Sequence, residues 1–95
     1  MRSSTVAERR VRVGSKVGLH ARPAAVFVRA AAEAPVDVTI ARRGRPPVNA
    51  KSILAVLGLD VRHDEEVVLA AEGEGAEELL DRLASLVATT EHDGG

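Results

Sequence analysis

The apolar residues of this chain recur at two periods in alternation, and that alternation does most to limit the folds open to it. From Arg9 to Gly14 basic residues alternate with Val11 and Val13, the period of a strand with one buried side. From about His20 to Glu33 the period lengthens, and Ala24, Phe27, Val28 and Ala31 fall on one helical face. Pro23 stands in the first turn, where its missing N–H has no partner to lose, and Pro35 stops the helix. Alternation returns at Val36, Val38 and Ile40. Gly44 within Arg42 to Pro46 predicts a hairpin turn, and Val48 a short third strand. Ser52 to Leu57 predicts a short helix, with Ser52 as N-cap and Gly58 as stop. Glu66 to Glu72 is a fourth strand. Gly75 to Thr90 is the clearest helix, striped by Leu79, Leu80, Leu83, Leu86 and Val87, with Glu77, Glu78 and Asp81 early, where the helix dipole favours acids.

The order is β-α-β-β-α-β-α. One-sided strands and helices bury themselves against each other in two layers. The expectation is therefore an α+β open-faced β-sandwich, a four-stranded antiparallel sheet with three helices on one face. The 95 residues make one domain with a core over about 9–90, a loose arm at 1–8 and a polar tail at 91–95.

The chain has no cysteine, so neither a disulfide framework nor a thiolate metal site supports it. No run approaches the ~18 apolar residues of a membrane span, and the first ten residues contain no apolar core of a signal peptide. These features point to the cytoplasm and to no membrane insertion. With one Phe and no Trp or Tyr, the chain offers almost no platform for stacking bases, which argues against nucleic acid. His63 falls in a charged turn and His92 in the tail, so no cluster has metal-ligand spacing. No base–nucleophile pair, phosphate loop or dinucleotide loop is legible, and no cofactor is expected.

Charge is unevenly spread. Residues 1–59 hold eleven Lys/Arg and three acids; residues 60–95 hold two Arg and eleven acids. The acid-free stretch Arg9 to Ala32 carries Arg9, Arg10, Arg12, Lys16, Arg22 and Arg29. Such a region suits an anionic ligand or an acidic partner. Folding can equally interleave the two signs.

The sharpest local feature is Gly18-Leu19-His20-Ala21-Arg22-Pro23-Ala24. His20 stands at a helix start, where backbone N–H groups and the dipole make an anion cradle and favour the neutral, nucleophilic imidazole. Arg22, two residues on, is a permanent cation able to pair with phosphate through two N–H groups. Gly18 lets the loop turn. On local features alone a histidine here is more often an ordinary surface residue, and the neighbouring Gly, Arg and Pro weigh against that. The second feature is Lys51-Ser52-Ile53-Leu54-Ala55-Val56-Leu57-Gly58. A helix this short cannot bury every side, so part of Ile53, Leu54, Val56 and Leu57 is a candidate docking patch.

These two segments and the element order resemble the HPr family of the sugar phosphotransferase system over residues 9–90. The resemblance implies that His20 is phosphorylated at Nδ1 by enzyme I, which draws on phosphoenolpyruvate, and hands the group to an enzyme IIA. Arg22 then steadies the phosphoryl group, and Ser52 is the regulatory serine of an HPr kinase/phosphorylase. Ile53, Leu54 and Leu57 match the apolar docking patch. The implied protein is a monomeric carrier, a substrate of its partners rather than an independent enzyme, with a transcriptional regulator as a further partner. Val17 stands where many members carry a helix-capping hydroxyl or amide, which leaves capping to Ser15 or to the backbone. Two other readings stay open. One is a purely regulatory relative, in which the active histidine is typically replaced. The other is a metabolite-sensing domain in which His20 lines a pocket.

Overall fold

The computed structural model describes residues 6–89. Seven elements follow in the expected order: β1 (Val6–Arg12), α1 (Ala21–Ala32), β2 (Val38–Arg42), β3 (Val48–Asn49), α2 (Ile53–Gly58), β4 (Glu66–Glu72) and α3 (Ala76–Ala88). The strands form one antiparallel sheet in the order β1-β4-β2-β3. Ala7, Val38, Ile40, Val67, Leu69 and Ala71 are buried on one face. Against them pack Ala24, Phe27 and Ala31 of α1 and Leu80, Leu83 and Val87 of α3. Full burial of a side chain such as Phe27 or Leu80 contributes about 1.5–3 kcal/mol each, so the two helices are held by their stripes. Val68, Ala70, Thr39 and Ala41 face away from this core, only partly covered.

The expected bounds shift in several places. β1 begins at Val6, so the arm expected over 1–8 loses its last three residues to the sheet: Val6, Ala7 and Glu8 pair with Glu72, Ala71 and Ala70. A small residue, Ala7, continues the buried face, a weak signal beside Val11 and Val13. Residues 1–5 and the expected tail lie outside the described residues. Arg9 falls on the same face as Ala7, partly covered, and carries its guanidinium to Glu77 and Asp81 of α3. β2 starts at Val38 rather than Val36, and its hairpin holds Ile40 opposite Val48.

Gly58 does not stop α2. The helix runs through it, Leu59 caps it in right-handed geometry, and the chain turns off at Asp60 with φ +53°. Aspartate tolerates this left-handed region better than most residues. That substitution of roles fixes what Asp60 faces.

Candidate functional site

Ser15 to His20 bridge β1 and α1, and this loop lies directly on the segment after α2. The Leu19 N–H donates to the Val61 carbonyl at 2.9 Å. Gly18 has φ +74°, and a Cβ there would stand 2.3 Å from the Val61 oxygen and 2.8 Å from the Arg62 Cα. Only glycine meets both demands. His63 Nδ1 donates to the Ser15 carbonyl at 3.2 Å. Leu19 and Val61 are both buried beneath the contact.

Ser15 does not cap α1. Its hydroxyl accepts the Val17 N–H at 3.3 Å within its own turn, and its side chain is spent there. His20 is the N-cap of α1, in extended conformation, and its side chain makes no capping hydrogen bond. Ala21 follows at φ +49°, a strained position for a residue with a Cβ, costing roughly 1–2 kcal/mol. The histidine thus sits on a sharp bend at the positive end of the helix.

Sequence gave His20 no acidic neighbour, and the fold supplies one. Asp60 Oδ1 lies 3.0 Å from His20 Nε2, and Asp60 Oδ2 accepts from Arg62 Nη2 at 3.1 Å. These bonds, that of Arg62 first and then that of His20, hold the Asp60 carboxyl below its ordinary value. An ionised carboxylate only accepts, so the hydrogen of this contact sits on Nε2. Arg42 Nη1 donates to the Leu59 carbonyl and Nη2 to Glu65, at 3.2 and 3.0 Å. Glu65 in turn accepts the Arg62 N–H at 2.8 Å. The corner at which α2 ends is therefore pinned on both sides of Asp60.

Arg22 is exposed in the first turn of α1, two residues from His20. Ser52 is the N-cap of α2, its hydroxyl accepting the Ala55 N–H at 3.2 Å. Ile53 and Leu54 are exposed, Leu54 by 79%. Leu57 is partly covered and packs on the core, and Val56 is fully buried. Six residues of α2 span about 9 Å, and its far end meets His20 through Asp60. His20 thus lies near one end of α2 and the exposed apolar pair at the other. Val17 in the loop before His20 is 63% exposed.

Charges of the two halves interleave in part: Arg9 meets Glu77 and Asp81, Arg12 meets Asp64, and Arg42 meets Glu65. A broad depression on the open sheet face, lined by Arg10, Arg43, Arg45, Thr39 and Val68 among others, includes no part of the His20 loop. No three His, Asp or Glu side chains converge as metal ligands among the described residues. Among them, too, no helix is long and apolar enough to cross a membrane.

Residues 7–89 match the family described as PTS HPr component phosphorylation site. The chain is 61% identical over 83 residues to the phosphocarrier protein HPr of Streptomyces coelicolor, covering 87% of this chain and 89% of that one. It is 44% identical over 80 residues to the HPr-like protein Crh of Bacillus subtilis, covering 84% and 93%. Its fold is similar to the crystal structure of a phosphocarrier protein HPr from Bacillus anthracis, with a TM-score of 0.81 at 40% identity, over 86% of this chain and 96% of the other.

Proposed function

The chain belongs to the PTS HPr family, and from that premise we propose that His20 accepts a phosphoryl group from phosphorylated enzyme I and passes it to an enzyme IIA of a sugar transporter. The observation that carries the reading is His20 as N-cap of α1, its own side chain making no capping hydrogen bond and its ring partly exposed at the helix start. Backbone donors and the dipole there suit an incoming phosphoryl group, and Arg22 adds a fixed positive charge. Neither holds phosphate as tightly as a metal, which suits a group that must leave again. The carrier needs no cofactor and works as a single copy in the cytoplasm.

Ser52 is the regulatory site of this reading, addressed by an HPr kinase/phosphorylase. A phosphate there adds about −1.5 to −2 charges. It favours the start of α2 yet sets that charge beside Ile53 and Leu54, the patch on which enzyme I and enzyme IIA dock, with Leu57 behind them. Docking of an acidic partner is weakened, so the serine acts as a brake. His20 in place argues against a purely regulatory relative, and its absence from the depression on the sheet argues against a metabolite pocket there.

The test is transfer through the chain. Labelled phosphate from phosphoenolpyruvate reaches enzyme IIA when enzyme I and this protein are both present, and does not when His20→Ala replaces it. Transfer through His20→Ala at the normal rate overturns the assignment.

A further inference from the structure

We propose that Asp60 is the positioning residue of the phosphoryl site, holding the His20 hydrogen on Nε2 so that Nδ1 is the nucleophile. The inference rests on the carrier reading and extends it to a residue forty positions along the chain.

The contact is built from both sides. Asp60 turns off α2 in left-handed geometry, between Leu59, whose carbonyl Arg42 holds, and Val61, whose carbonyl holds the Leu19 N–H. Its second oxygen is occupied by Arg62. The side chain therefore has one oxygen for His20, at 3.0 Å. Being ionised, that oxygen accepts and cannot donate. The neutral ring then keeps its hydrogen at Nε2 and a lone pair at Nδ1.

The transfer follows without any proton having to move. The Nδ1 lone pair forms the new N–P bond as the bond from phosphorus to the donor breaks, and that electron pair stays with the donor. His20 then bears phosphoryl on Nδ1 and hydrogen on Nε2, a ring cation that the Asp60 carboxylate faces. On hand-off the N–P electrons return to Nδ1, and a neutral imidazole is again the product. Asp60 thus blocks phosphorylation at Nε2 and stabilises the protonated phospho-ring, which is the better leaving group. His20 and Asp60 are 42% and 48% exposed, so water screens the contact. The effect is that of a single hydrogen bond to a charged group, a loss of about three- to tenfold in transfer rate when it is removed.

Two variants separate this role from shaping the turn. Asp60→Gly keeps the left-handed backbone without strain and removes the side chain. Asp60→Asn also suits that backbone and retains an oxygen acceptor. Imidazole 15N spectra of the neutral ring report the tautomer. Phosphoramidate, a small phosphoryl donor that needs no partner, reports which nitrogen reacts. The wild type and Asp60→Asn are expected to show the Nε2–H form and phosphorylation at Nδ1. Asp60→Gly is expected to show a mixed tautomer population, some product at Nε2, and a lower kcat for transfer from enzyme I at unchanged KM. An Asp60→Gly protein with wild-type tautomer, product and kcat overturns the proposal. Should enzyme I fail to phosphorylate even the wild type, the carrier reading falls, and the tautomer and the phosphoramidate product still decide whether Asp60 directs the ring.

Discussion

Replacing Gly18 by alanine tests whether the His20 loop is truly clasped to the segment after α2. Gly18 and Gly44 both have positive φ, +74° and +82°, but a Cβ at Gly44 meets nothing within 4 Å. Gly44→Ala therefore carries the backbone penalty alone, about 1–2 kcal/mol less the roughly 0.4–1 kcal/mol that alanine returns by restricting the unfolded chain. Gly18→Ala carries the same penalty plus a Cβ forced to 2.3 Å from the Val61 oxygen. Both partners are backbone, so no side chain can swing away. The loop must lift and stretch the Leu19–Val61 hydrogen bond, now 2.9 Å. Overpacking of about 1–3 kcal/mol and a lost hydrogen bond of about 0.5–1.5 kcal/mol put Gly18→Ala some 2–4 kcal/mol below Gly44→Ala. For a chain of this size that separates their melting temperatures by about 10 °C or more. Thermal unfolding followed by circular dichroism reads the difference, and phosphoryl acceptance falls in Gly18→Ala alone as His20 moves off Asp60. Two variants melting within a degree or two of each other would refute the close approach and the site geometry built on it.

Two further perturbations probe the neighbouring parts. Ser52→Ala removes the α2 cap and lowers stability by about 1 kcal/mol with little effect on transfer, whereas Ser52→Asp keeps a cap and slows transfer from enzyme I; denaturation and transfer rates should rank the pair in opposite orders, and equal transfer rates would end the case for a brake. The Glu65 carboxyl lies below its ordinary 4.5, chiefly through the Arg62 N–H and, against some burial, the Arg42 hydrogen bond. A carboxylate with a lowered folded pKa stabilises above its unfolded value and loses that contribution as pH falls through the folded one. Glu65→Gln should therefore melt lower than wild type at pH 7, with the gap closing below the ordinary 4.5; a gap constant with pH contradicts the pairing.

The layers were legible in sequence because each element has one apolar face of its own period. Phe27 and Ala31, or Leu80, Leu83 and Val87, declare their helices without help from the rest of the chain. The placing of His20, Arg22 and Ser52 at helix starts was legible for the same reason, since a helix start is a local event. What stayed hidden depends on two segments meeting. Asp60 follows an apolar Leu57-Gly58-Leu59 run in which Gly58 looked like the end of the helix, so nothing marked it as a corner residue. Its link to His20 exists only because Gly18 lets two backbones touch. Gly18 was the available clue, a residue whose absent Cβ implies a close neighbour without naming it. Ser15 misled in the other direction: a hydroxyl near a helix start is a natural cap, but a turn of its own claimed it first.

The most direct measurement is the intact mass of the protein after incubation with phosphoenolpyruvate and enzyme I, with and without brief acid treatment. The account predicts a gain of one phosphoryl group that acid removes and that His20→Ala lacks. No gain with a demonstrably active enzyme I, or a gain that survives acid or persists in His20→Ala, would contradict it.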